Sequence, residues 1–448
     1  MNKNTKKQWA LAINIALSAA VFQPAPVHAA GGSWVCDNDW WDSSSCWSDG
    51  GQPQNGDSAV LFQSDGAYRT VSYRTSDPSA VLDVLAINAT GGGMMVLSQS
   101  QDPLAANYEF IGIDGAGVFG QGGGTNTVGS DLYLGGSFFS TSGTGSGTYY
   151  LGGTGSLSVA GIEYIGFSGT GTFIQIGGTN TVTGTMTLAA QSGSSGTYDL
   201  STGSLSVGTN EYVGYGGGNG AFIQSGGTHT VTGTMTLAAM PGSSGSYDLQ
   251  GGTLTVNGGI TNNANGSFNV GAGTTATAGG AGFVNHGLLK GAGTIVGNVT
   301  SDGTVDPGAS PGELTIDGNY TQGVDGKLTI EIAGTGINEY DILNILGTAT
   351  FVAGTTIDLK FVNGFAPTAN DSFDFLKAYA FSGDMSLISF AVLGLEPGFD
   401  FTTSFTDTGT YSMMALTNSV SSVPIPGAVW MFGSGLLGLL GMARRKAA

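Results

Sequence analysis

Charge is scarce in this chain. Asp, Glu, Lys and Arg make up only 10% of its 448 residues, against 80 Gly. Basic residues are scarcer still. Of 12 Lys and Arg, Lys3, Lys6 and Lys7 stand at the start and Arg444, Arg445 and Lys446 at the end. Six cations therefore face all 31 carboxylates over the body of the chain, a formal −25. So acidic a body argues against nucleic acid or an anionic lipid surface as partner. Histidine is nearly missing, with His28, His229 and His286. There is no G-x-S-x-G, no H-E-x-x-H, no phosphate loop and no calcium-binding nonapeptide repeat. The two cysteines, Cys36 and Cys46, have no nearby His and make at most half a zinc set. No cofactor is expected.

The wealth lies in Gly, Ser, Thr and regularly alternating β-branched residues. That combination reads as an ordered, Gly-punctuated β structure rather than a disordered one. Repeats decide its form. The stretch GTGTFIQIGGTNTVTGTMTLAA from Gly169 returns as GNGAFIQSGGTHTVTGTMTLAA from Gly218, a shift of about 49 residues. A looser copy starts at Glu109. Each copy halves, since Tyr149, Phe173, Tyr198, Phe222 and Tyr247 recur every 24 or 25 residues, and Phe268 continues the series. A unit of about 24 residues holds three short strands and three turns. One unit cannot bury its apolar face alone, but stacked units can, each pairing with the next at about 4.8 Å. The fold expected is all-β: a right-handed parallel β-helix with the aromatics stacked in a column. A β-propeller, with blades of about 40–50 residues, fits less well because the half-repeat is real.

TVTGTMTL from Thr181 reads as one strand, with Val182, Met186 and Leu188 on one side and Thr181, Thr183, Thr185 and Thr187 on the other. The threonines recur as Thr230, Thr232, Thr234 and Thr236, in every second coil. This is expected to be a soluble outer face, too sparse for the T-x-T arrays of ice-binding solenoids.

The ends differ from the body. Lys3, Lys6 and Lys7, the apolar run Trp9–Phe22 and the small-residue site Val27-His28-Ala29 make a secretory signal, cut after Ala29. In an exported chain Cys36 and Cys46 pair as one disulfide. Trp34, Trp40, Trp41 and Trp47 crowd around them, as an aromatic cap or, alternatively, a sugar-stacking surface. At the far end come Val423, Pro424, Pro426, Ala428 and Trp430. An apolar run from Ala428 to Ala443 and the basic cluster Arg444-Arg445-Lys446 follow. About 16 apolar residues span roughly 24 Å as a helix, short for a bilayer core of about 30 Å. The basic tail favours the cytoplasmic side.

This order resembles the PEP-CTERM sorting signal of Gram-negative bacteria, in a variant reading V-P-x-P-x-A-x-W. The resemblance implies an exosortase-type processing enzyme as partner and a transient inner-membrane anchor. It also implies delivery to the outer surface or extracellular matrix. Ile425 stands where the namesake motif has Glu, which leaves the cleavage site open.

From Gly293 the sequence changes character. The Asp306-Pro307-Gly308-Ala309-Ser310-Pro311-Gly312 turn, Leu314, Gly318-Asn319-Tyr320 and Leu328–Glu331 resemble the C-terminal passenger region of autotransporters, as does the stretch from Tyr340 to about Phe390. Only 30 residues follow Asn418, too few for a membrane β-barrel translocator. The organisation expected is a signal peptide (1–29), a Trp-rich cap and first strands (30–107), and a repeat β-helix (108–292). A passenger-like β region ending in a β cap (293–418) and the sorting signal (419–448) complete it.

Chemistry is sparse. Glu109, Glu163 and Glu211 recur once per double coil and are the best acid/base candidates, with Glu163 and Glu211 two rungs apart, near 9.6 Å. They repeat with the scaffold, whereas an active site usually interrupts it. Asp302, Asp306, Asp317 and Asp325 offer turn carboxylates for calcium. His229 occupies the position of Asn180 in the sister repeat, and is expected in a solvent-facing polar slot. The expectation is a non-enzymatic, structural or adhesive rod that contacts exopolysaccharide or neighbouring cells. The alternative is a β-helix hydrolase or lyase acting on extracellular polysaccharide.

Overall fold

The computed structural model describes residues 31–420, apart from 139–142, 310, 337, 369–370, 384, 396–398 and 408–411. Side chains are described as far as residue 395. The signal peptide with Ala29, and Val423, Pro424, Pro426, Ala428, Trp430, Arg444, Arg445 and Lys446, lie outside the described residues. Among those described, no helix is long and apolar enough to cross a membrane.

The chain is an all-β parallel β-solenoid of about 13 turns. Each turn contributes a strand to three faces. In the repeats the first face stacks Ser146–Leu151, Thr170–Gln175, Ser195–Leu200, Asn219–Gln224 and Ser244–Leu249 in register. The second stacks Thr125–Val128, Ser156–Val159, Thr179–Val182, Ser204–Val207, Thr228–Val231, Thr253–Val256 and Thr275–Ala278. The third stacks Glu163–Ile165, Met186–Leu188, Glu211–Val213, Met235–Leu237 and Ile260–Asn262. Pairing continues without interruption from these repeats into the stretch after Gly293, through Leu288–Lys290 onto Thr304–Asp306.

The expected ring column is present. Tyr149, Phe173, Tyr198, Phe222, Tyr247 and Phe268 stack with centroids 4.6–5.2 Å apart and planes within 13°. Each ring is essentially fully buried. The separation follows from the strand spacing of a parallel sheet. Glycine is needed where the first and third faces meet. A Cβ on Gly196 would lie 2.0 Å from the Ile165 carbonyl oxygen, so the backbones touch only because that position carries no side chain.

TVTGTMTL is not one strand. Val182 ends the second face and Met186 opens the third, with Thr183–Thr185 as the corner between them. Thr181 and Thr187 therefore lie on different faces, and Thr187 is 5% exposed, paired between Tyr164 and Tyr212. Phe110, Tyr133 and Tyr164 stack outside the third face at 4.9–5.0 Å, with Phe167 edge-on, as a second small apolar cluster.

The Cys36–Cys46 disulfide ties the N-terminal end. Trp34, Trp41 and Trp47 are buried there, Trp47 packing edge-on against the other two at 5.3 and 4.7 Å. Three of the four tryptophans thus seal the end of the core. Only Trp40 is exposed, with Arg74 4.5 Å from its ring centroid. At the other end Ser372–Ser382 pairs antiparallel with Ser412–Val420, which pairs antiparallel with Phe399–Asp407. This covers a sheet edge that would otherwise template another chain.

Candidate functional site

The second face carries the most regular surface of the molecule. In a strand such as Thr179-Asn180-Thr181-Val182, Asn180 and Val182 point inward and Thr179 and Thr181 outward. The outward pairs in successive rungs are Thr125/Thr127, Ser156/Ser158, Thr179/Thr181, Ser204/Ser206, Thr228/Thr230, Thr253/Thr255, Thr275/Thr277 and Thr294/Val296. All are exposed or half-exposed. Hydroxyl residues therefore occupy every rung, not every second coil. The array is built from Thr179 and Thr181 rather than from Thr183, Thr185 and Thr187. Rungs about 4.8 Å apart and alternate residues about 6.6 Å apart make a two-column grid. No outward position of the grid is charged.

The residues beneath this face explain the 49-residue period. Asn180 Nδ2 donates to Glu163 Oε2 at 3.1 Å and to the Tyr198 hydroxyl at 3.3 Å. Tyr198 in turn donates to Gln175 Oε1 at 2.5 Å. Gln175 Nε2 ends the chain on the carbonyls of Gly178 and Ser204. Glu109, Asn126, Tyr149 and Gln121 repeat the arrangement. All of these side chains are buried. Each network spans three rungs, so tyrosine is required only at alternate turns and phenylalanine fills the others.

The third copy contains histidine. His229 is 1% exposed, not solvent-facing. Its Nε2 lies 2.8 Å from Glu211 Oε2 and its Nδ1 2.9 Å from the Tyr247 hydroxyl. Tyr247 donates to Gln224 Oε1, whose amide nitrogen is committed to the Thr253 carbonyl. His229 Nδ1 is thus the donor to Tyr247, while its Nε2 faces the Glu211 carboxyl in close contact but without hydrogen-bond geometry. The polar groups are not fully matched: Glu109 Oε1, Asn126 Oδ1, Asn180 Oδ1, both Glu211 carboxyl oxygens and His229 Nε2 lack hydrogen-bond partners.

Burial pushes the carboxyls of Glu109 and Glu163 up to about 8, against a partial lowering by the Asn126 and Asn180 amides. Glu109, Glu163 and Glu211 are interior staples rather than exposed acids, each being 0% exposed. The four aspartates weighed for calcium do not gather. Among the described residues the one cluster of potential ligands is Cys36, Asp39 and Cys46, and its two sulfurs are bonded to each other. His286 is half-exposed, 3.9 Å from Asp302.

The period-two parity missed in the sequence was there to be used. Asn180 is in phase with Val182, and Glu163 with Ile165. Fold and site together define a β-solenoid with a repetitive, uncharged hydroxyl face over a core of polar staples. No family model matches the chain, and no curated protein does either.

Proposed function

We propose that this chain is an exported, non-enzymatic structural or adhesive rod that holds extracellular polysaccharide or neighbouring cell surfaces. The observation that carries the reading is the second face, where eight successive rungs each present outward Ser or Thr and no charge before Asp317 follows Val296 in the next rung. Hydroxyl grids exchange hydrogen bonds with a hydroxyl-rich polymer at many points. Many weak contacts on one rigid body add up to avidity without a deep pocket. The hydrolase or lyase alternative gains nothing from the repeated glutamates, which sit inside the solenoid.

Delivery is the second part of the proposal. The N-terminal signal and the Val423–Lys446 segment together support export, a transient inner-membrane anchor, exosortase-type trimming and release to the surface or matrix. Mass spectrometry of the extracellular protein tests this. The mature form is expected to begin at Ala30 and to end near Pro424–Trp430. An extracellular form that keeps Arg444-Arg445-Lys446 refutes the trimming. Cell fractionation with and without residues 423–448 tests the routing: the truncated chain should fail to reach the matrix.

A further inference from the structure

The first face carries a notch that the repeat pattern does not predict. Ser98, Gly120 and Tyr150 occupy the same outward position in three consecutive rungs. Gly120 puts no side chain into the middle rung, and a Cβ there would meet only the Leu97 carbonyl oxygen, at 4.0 Å. The two flanking side chains therefore stand about 9.6 Å apart, two rungs of strand spacing. Tyr150 forms one wall and is 44% exposed, Ser98 and Ser100 form the other, and Ile176, 61% exposed, closes the side. The groove is shallow and open to solvent, with a volume of about 340 Å³, so it would cover one face of a ligand rather than surround it.

We infer that this groove is a subsite for one neutral sugar ring of a polysaccharide. A pyranose has an apolar C–H face, which suits an aromatic wall, and a rim of hydroxyls, which suits Ser98 and Ser100. No Asp, Glu, Lys, Arg or His lines the groove, so nothing there would pair a charged sugar. The body's formal −25 also opposes an acidic one. The groove lies beside the hydroxyl face: Ile176 precedes the turn into Thr179, and Gly152 the turn into Ser156. A polymer lying along the second face would reach the notch with one of its residues. The subsite rests on the reading of the rod as a polysaccharide contact surface, and adds to it a point of orientation that the periodic grid lacks.

The test is affinity electrophoresis of the purified full-length chain through gels holding soluble mixed-linkage β-glucan, dextran or alginate. Two variants probe the groove. Tyr150→Ala removes the wall, and Gly120→Thr fills the notch at a position with room for a side chain. Thr261→Ala, at an outward position of the third face and away from both grid and groove, is the control. Thermal midpoints of all three should match the parent, which shows that they fold. The expected result is retardation by a neutral glucan, weakened about tenfold or more by Tyr150→Ala and by Gly120→Thr, and unchanged by Thr261→Ala. Parental affinity in both groove variants overturns the subsite and leaves the rod reading standing. Retardation by alginate alone overturns its neutral specificity. Absence of any retardation by the two neutral glucans also overturns the subsite, while retention on native matrix judges the rod independently.

Discussion

Replacing Glu163 by Gln should make the solenoid less sensitive to alkaline pH. Glu163 is fully buried, and its carboxyl titrates near 8 in the folded chain against 4.5 in the open one. The folded state therefore holds a proton that the unfolded state gives up. For an acid raised in this way, stability is fully present below about 4.5 and is lost as pH rises through about 8. Above that the loss is complete. The interval corresponds to about 5 kcal/mol on the order-of-magnitude conversion of 1.36 kcal/mol per unit. Gln has the shape of the protonated acid and does not titrate. At pH 5, Glu163→Gln and the parent should differ by no more than about 1 kcal/mol. At pH 9 the variant should be the more stable by several kcal/mol. Urea midpoints across pH 5–9 read this directly, and amide exchange in Thr170–Gln175 localises it. Glu109, raised for the same reason, leaves a residual slope in the variant that the double change Glu109→Gln, Glu163→Gln should flatten further. Parallel curves for parent and variant, or parental stability that rises between pH 5 and 8, would refute the assignment of a proton to the buried site.

Phe222→Ala opens a void between Tyr198 and Tyr247, whose rings lie 4.9 and 4.7 Å away, and should cost about 3–5 kcal/mol by denaturant unfolding; outward Ile223→Ala should cost under about 1.5. Gly196→Ala drives a Cβ into the Ile165 carbonyl and should destabilise by about 1–3 kcal/mol, whereas Gly120→Ala, in open space, should be neutral or slightly stabilising. Deleting residues 170–218 joins Gly169 to Asn219 in the same register and brings Glu163 to His229 and Tyr247. The shortened chain should fold cooperatively and lose two rungs, about 9.6 Å of length by small-angle scattering.

Much of this architecture could be read from spacing alone, because the aromatics of the column recur at nearly the coil length and each sits after a Gly that the structure requires, as Gly196 does before Tyr198. The corner at Thr183–Thr185 was not legible. Val182 and Met186 are four apart, so inward parity survives the bend and the alternation runs on as if one strand continued. That hid the real hydroxyl grid, since Thr179 and Thr181 belong to one face and Thr187 to another. The glutamates misled for a different reason. An isolated buried carboxylate is costly, so a recurring Glu suggests an exposed acid. Here each meets a buried polar side chain far along the chain: Asn180 is 17 residues from Glu163, and Tyr198 is 18 from Asn180. His229 was misplaced with them, because its sister Asn180 looked like a surface polar residue until the register put both inside.

The central claim is that the rod holds polysaccharide through a distributed face and does no chemistry on it. The direct measurement is incubation of the purified mature chain with isolated extracellular polysaccharide, with bound protein and polymer length followed together. Parent and Glu163→Gln should be retained alike. The triple change Thr179→Glu, Thr228→Glu, Thr253→Glu, which puts charge into the grid, should lose most retention, and polymer length should stay constant throughout. Polymer that shortens with the parent but not with Glu163→Gln would contradict the account and make the chain an enzyme.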